Sequence, residues 1–332
     1  MSRVHRLRFT LPAAALLLAL TACSNSAESP ATPGRNARIS TAYELPEERA
    51  YPEGIAVDGR TGDVYVGSFT TGAIYRGTSG HPKAEIFLPP GADGRHTANG
   101  LRVDASGRLW VIDHTKGVTV YNLETRALVA RFDAATENPF LNDLTVTPDG
   151  AVYLTDSVRP VIYRITPAEL DAAVAAGGRA ELTVFTDLSA AKDPAATLLL
   201  NGIVSDPAGR YLLTVCMATG DLYRVTLQGE PQISKVALDK GNMLFGDGLE
   251  LRGDTLWAVH NKDNSVSRWR LSADGTSAEL QNLVTDEALR IPTTIAHAGD
   301  RALVVVSQFD RGGPMGEGTP TTPFRVVAID GL

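Results

Sequence analysis

Residues 245–261 read FGDGLELRGDTLWAVHN. Two apolar runs flank the pair Gly253–Asp254, so the segment reads as strand, tight turn, strand. Asp247 stands between two glycines just ahead of the first run. A single carboxylate there is explained by turn preference alone. Its recurrence is not. Five other segments carry the same pattern: YPEGIAVDGRTGDVYVGSF from Tyr51, TANGLRVDASGRLWVIDH from Thr97, FLNDLTVTPDGAVYLTDS from Phe140, LLNGIVSDPAGRYLLTVC from Leu199 and IPTTIAHAGDRALVVVSQF from Ile291. The residues leading the first strands are Glu53, Asn99, Asn142, Asn201, Asp247 and Thr293, at successive spacings of 46, 43, 59, 46 and 46.

Most segments continue into a third strand, such as GAIYRGT, GVTVYNL, VIYRIT, GDLYRVTL and SVSRWRL, and several into a fourth, such as AEIFLP, LVARFD or ELTVFTD. Short strands repeating with a period of about 40 to 50 residues predict an all-β chain, a β-propeller. Six repeats predict six blades in one domain over residues 37–332. The long gap before Asn201 holds TPAELDAAVAAGG. Thr166 at the N-cap, Pro167 at the first helical position and glycines at the end predict a short helix there, a surface insertion in blade 3. The sixth blade lacks an outer strand. ARISTAYEL, residues 37–45, is expected to supply it and close the ring.

The N-terminus reads as a processing segment. Basic MSRVHRLR, apolar FTLPAAALLLAL and LTAC ending at Cys23 follow the order of an export signal. The small residues before Cys23 resemble a bacterial lipobox. That resemblance implies removal of residues 1–22 as a lipoprotein signal peptide, lipid on Cys23 and anchoring to a bacterial membrane on its extracytoplasmic side. Residues 23–36 read as a flexible tether. With Cys23 lipidated, only Cys216 remains and no intramolecular disulfide can form. Roughly 300 residues of propeller can rest on core burial instead. The net charge of −7 and the lack of a basic cluster beyond the signal argue against nucleic acid as a partner. A closed ring leaves no sheet edge to cover, so a monomer is expected.

In a propeller the first strand of each blade lines the central channel. The six leading residues should therefore converge at one channel mouth. All are hard oxygen donors with no Cys or His among them, which suits Ca²⁺ better than Zn²⁺. Without a cation, buried carboxylates at Glu53 and Asp247 would repel each other and suffer desolvation. Residues two before each leading position (Tyr51, Thr97, Phe140, Leu199, Phe245 and Ile291) should share its outlook by strand alternation. That set predicts an apolar funnel above the cation. The second strands return to the same mouth and end at Ser68, His114, Asp156, Cys216, His260 and Gln308. His114 and His260 are candidate pocket residues and proton carriers. Cys216 follows an apolar strand and reads as a packed residue. Trp110 and Trp257 hold one repeat position and read as blade core. FDRGGPMGEGTP, from Phe309, fits no phosphate-loop pattern and reads as a lid or surface loop.

These segments resemble the senescence marker protein and gluconolactonase (regucalcin-like) family, with diisopropylfluorophosphatase and paraoxonase more distant. PEG with Glu53, NDLTVTPDG with Asn142, NGIVSDPAGRYLLT with Asn201 and GDGLELRGDTLWAV with Asp247 carry the resemblance, in order, over residues 50–310. It implies a six-bladed propeller with a divalent cation at one mouth and hydrolysis of lactones, esters or organophosphates. It implies Glu53, Asn142, Asn201 and Asp247 as ligands, and Asp247 as general base or nucleophile. Asn99, Asp143 and Thr293 are further candidates at the mouth. Sugar-lactone members carry Arg where this chain has Phe140, and Pro where it has Ile55. Both changes count against an aldonolactone, and the expected apolar funnel suits a hydrophobic lactone or ester as the small-molecule substrate. The alternatives are a non-catalytic extracytoplasmic binding propeller with a structural cation, and a metal-free propeller of the strictosidine-synthase type.

Overall fold

The computed structural model describes residues 37–191 and 199–332. The segments read as export signal and tether, with Cys23, lie outside them. Among the described residues no helix is long and apolar enough to cross a membrane.

Six sheets follow one another along the chain, each with four antiparallel strands, as expected for a six-bladed β-propeller. Blade 5 shows the unit. Gly246–Arg252 pairs with Thr255–His260, which pairs with Ser265–Leu271, which pairs with Ser277–Thr285. The innermost strands Pro52–Val57, Leu141–Val146, Leu200–Ser205, Gly246–Arg252 and Pro292–Ala298 are buried over most of their length. The fourth strands are half exposed, as Ser277–Thr285 shows by alternating along its length. Between blades the apolar faces merge into separate clusters. Trp110 packs with Phe132 and Tyr163, for example, and Trp269 with Leu249 and Met243. In the sixth sheet the outer strand is Arg38–Glu44, antiparallel to Arg325–Asp330 with Arg38 opposite Asp330.

Two blades have five strands, not four. After Pro167–Ala175, a helix closed by a full capping box between Thr166 and Glu169, Arg179–Glu181 runs parallel to Leu128–Asp133 of blade 2. Thr183–Asp187 then returns to the edge of blade 3. The run ELTVFTD thus divides at Leu182 between two blades. Ala237–Asp239 likewise adds to blade 5 in parallel, beside Ser277–Thr285.

The channel is drawn tight by backbone contact. A Cβ on Gly54 would sit 2.0 Å from the Asn99 carbonyl oxygen, and one on Gly202 would sit 2.3 Å from that of Asp247. The glycine after a leading residue therefore seats the next blade's leading residue. No larger side chain leaves room for it.

Candidate metal centre

The leading residues do not continue the regular ladder. In five innermost strands the register shifts where they sit: between Pro52 and Ile55, Leu141 and Leu144, Leu200 and Ile203, Gly246 and Leu249, and Pro292 and Ile295. These are β-bulges, which re-aim a side chain at the cost of a ladder bond. They turn Glu53, Asn142, Asn201 and Asp247 into one cavity of about 450 Å³. Asn99 and Asn261 line it too. All six are buried, none more than 6 % exposed.

The hydrogen bonds orient these groups. The Asn142 amide donates to Ser157 Oγ at 2.9 Å, and the Asn261 amide donates to Asp247 Oδ2 at 3.0 Å. The Glu53 carbonyl accepts from the hydroxyls of Thr293 and Thr294, each at 2.7 Å. Four acceptors in this wall have no donor: Glu53 Oε2 and the Oδ1 atoms of Asn99, Asn142 and Asn261. A buried acceptor left unpaired costs about 1–3 kcal/mol. Four of them belong to residues lining one cavity, where a hard cation would pair them together. The donors are hard oxygens, and only two are carboxylates. Among the described residues no group of three or more His, Cys, Asp and Glu side chains forms a metal cluster of the usual kind. Carboxamide-rich oxygen sites are what Ca²⁺ accepts.

Electrostatics agree. Burial, then the charges of Asp247 and Asp143, push the Glu53 carboxyl well above the usual range. Burial pushes Asp247 up to about 8, opposed by the Asn261 hydrogen bond and reinforced by Asp143. Two carboxylates are thus held where ionisation is penalised, and a cation removes that penalty.

The other candidates take different places. Asp143 lies outside the cavity wall: it accepts from Leu144 N–H at 2.8 Å and faces Arg102 Nη2 at 3.3 Å. Thr293 supports Glu53 and shares a hydrogen bond with Ser307 at 2.9 Å. Phe140 and Leu199 line the cavity; Tyr51, Thr97, Phe245 and Ile291 do not. Phe245 carries Lys262 over its ring at 5.2 Å and has φ +55°, Ile291 has φ +56° and Tyr51 has φ +37°. Left-handed backbone at these positions ends the alternation on which the funnel expectation rested. His114 does not line the cavity; it stacks on Phe69 with ring centroids 5.1 Å apart and meets Phe140 at a tilt at 4.7 Å. Burial lowers its pKa. His260 is also outside the wall. Its Nδ1 meets the Leu244 carbonyl at 2.9 Å and its Nε2 meets Ser267 Oγ at 2.7 Å, so both ring nitrogens are occupied.

In five of the six blades the wall is instead built by the residue one further along the second strand. Phe69, Ser157, Met217, Asn261 and Phe309 line the cavity. Their neighbours Ser68, Asp156, Cys216, His260 and Gln308 turn away and are buried. Alternation makes a one-residue offset a change of face. Sequence reasoning missed Phe69, Ser157, Met217 and Asn261, the last of which follows His260 directly. The loop after Phe309 folds over the same cavity. Pro314 and Met315 line it, and Tyr51 Oη donates to the Arg311 carbonyl at 2.8 Å to hold the loop down.

No family model matches the chain, and no curated protein matches it. Solved structures do. A gluconolactonase from Xanthomonas campestris aligns at TM-score 0.61 and 17 % identity, over 88 % of this chain and 89 % of that one. Regucalcin from Agrobacterium tumefaciens, described as a calcium-binding protein, aligns at 0.57 and 15 %, over 88 % and 97 %. Virginiamycin B lyase from Staphylococcus aureus aligns at 0.55 and 14 %, over 88 % and 99 %. At these identities the likeness establishes the six-bladed propeller. The same fold carries a lactonase and a lyase, so the chemistry must be argued from the residues.

Proposed function

We propose that this protein is a calcium-dependent hydrolase of a lactone or ester with an apolar body. The four unpaired buried oxygens at one channel mouth carry the reading. Glu53, Asn142, Asn201 and Asp247 would hold the cation, with Asn99 beside them. When bound, it would polarise the substrate carbonyl.

The chain's own groups do the rest. Asp247 is the candidate base or nucleophile. Ser157, the one hydroxyl in the wall, donates to the Leu200 carbonyl and accepts from Asn142, with no base beside it. Phe69, Phe140, Leu199, Met217, Phe309 and Met315 exclude water and receive the apolar body. Beyond the oxygen ring only Lys262 offers a donor, because Ser157 spends its hydroxyl proton on Leu200, and one is too few for a sugar's hydroxyls. That scarcity also leaves a second reading, a binding propeller with a structural cation, because no obvious acid stands by to protonate a leaving group.

Turnover decides between them. Calcium-loaded protein should hydrolyse an aryl or long-chain lactone faster than gluconolactone, and Asp247→Asn should abolish this. No turnover on any ester or lactone supports the binding reading. Export and anchoring through lipid on Cys23 are part of the proposal and rest on the lipobox pattern alone. Mass spectrometry of the mature N-terminus tests them.

A further inference from the structure

Blade 5 sends two side chains to the mouth. Asp247 comes from the bulge of its innermost strand, and Asn261 from the turn after its second strand. Asn261 is 3 % exposed. Its backbone N–H donates to the Phe245 carbonyl at 3.0 Å, fixing the turn against the residue that precedes the Gly246–Asp247 pair. Its amide donates to Asp247 Oδ2 at 3.0 Å, so the nitrogen end of the side chain is committed. Its Oδ1 is buried, meets no donor and belongs to a residue lining the cavity.

A residue that merely positioned Asp247 would need only the amide. The stranded oxygen is a cost that such a role does not explain. We propose that Asn261 is itself a ligand of the cation site, giving Oδ1 to the ion while its amide holds one oxygen of Asp247 aside. This rests on the calcium reading above and extends it.

Two consequences follow. Ca²⁺ takes 6–8 oxygens. Glu53, Asn142, Asn201 and Asp247 fall short of that number, and Asn99 and Asn261 bring the side chains at the mouth to six. Few positions then remain for water or substrate. A dense side-chain cage also disfavours Mg²⁺, which keeps its waters and demands octahedral geometry. Asn261 should therefore contribute to choosing calcium over magnesium.

The test separates ligation from positioning by pairing Asn261→Ala, which removes both ends of the amide, with Asn261→Asp, which keeps the oxygen and loses the donor. Tb³⁺ luminescence lifetimes in H₂O and D₂O count the waters on the bound ion, and competition with Ca²⁺ and Mg²⁺ gives affinities. Thermal melts in chelator check that each variant is folded. Ligation predicts that Asn261→Ala adds about one water and weakens Ca²⁺ at least tenfold, with less effect on Mg²⁺. It predicts that Asn261→Asp keeps the wild-type water count and binds Ca²⁺ at least as tightly, while its chelated form melts lower from the new charge facing Asp247. An unchanged water count in Asn261→Ala, or equal weakening in both variants, would overturn the inference and leave calcium binding intact. Wild-type protein that binds neither ion would overturn the cation reading itself.

Discussion

Asp247→Asn should stabilise the metal-free protein and abolish its response to calcium. The carboxyl of Asp247 is buried and pushed up to about 8 from an ordinary 3.8. Its pKa is therefore raised on folding, so its contribution is fully present below the unfolded value and lost as pH rises through the folded one. At pH 7 the unfolded chain ionises this group freely, while the metal-free folded chain must bind a proton. The gap between 3.8 and 7, at about 1.36 kcal/mol per pH unit, is a penalty on the order of 4 kcal/mol.

Asparagine has the same shape, does not ionise, and still offers a carbonyl oxygen to the Asn261 amide. If half the penalty is recovered, about 2 kcal/mol, the melting point in chelator rises by roughly 3 °C. Differential scanning calorimetry in chelator and in excess calcium reads both effects. The wild type should gain stability with calcium and the variant should not. A variant that melts below the wild type in chelator, or one that keeps the calcium-induced rise, would refute the electrostatic account of the site.

For the wild type in chelator, the melting point should fall as pH rises from about 5 to about 8, and the fall should largely vanish in saturating calcium; a flat chelated profile contradicts the raised carboxyls. Gly202→Ala would drive a Cβ to 2.3 Å from the Asp247 carbonyl oxygen, so it should cost about 1–3 kcal/mol and weaken calcium binding together; an unchanged melt and titration count against the blade contact. Met315→Ser should raise KM for a long-chain lactone severalfold with kcat held, because it trims apolar wall and touches no donor; an equal effect on gluconolactone would deny Met315 a part in apolar recognition. Deleting residues 37–45 should abolish soluble folding, since Arg38–Glu44 covers the edge of Arg325–Asp330; an unchanged melting temperature would deny that strand its role.

The blade repeat was legible because each unit must place a polar residue, an apolar strand and a turn in the same order. The oxygen donors were legible for the same reason: Glu53, Asn99, Asn142, Asn201 and Asp247 share one phase, and the structure brings all five to one cavity. Thr293 shares the phase but spends its hydroxyl on the Glu53 carbonyl and Ser307, which no spacing reveals. The rest was hidden by backbone detail. Bulges at the leading residues and left-handed φ at Tyr51, Phe245 and Ile291 break the period-2 rule. Only Phe140 and Leu199 of the expected funnel therefore face the cavity. At the second strands an offset of one residue singled out His260 rather than Asn261. The readable signal was the pairing of first-strand leader with second-strand follower: Asn142 with Ser157, and Asp247 with Asn261.

The central claim is that a hard cation completes the ring of unpaired oxygens. Calcium content of the purified protein, followed by calorimetric titration after chelation and dialysis, tests it most directly. One equivalent of calcium, bound with a rise in melting temperature and lost in Asp247→Asn, is the predicted result. No bound metal, no heat of binding and no shift on chelation would contradict it, and the phased oxygens would then be turn residues of a metal-free propeller.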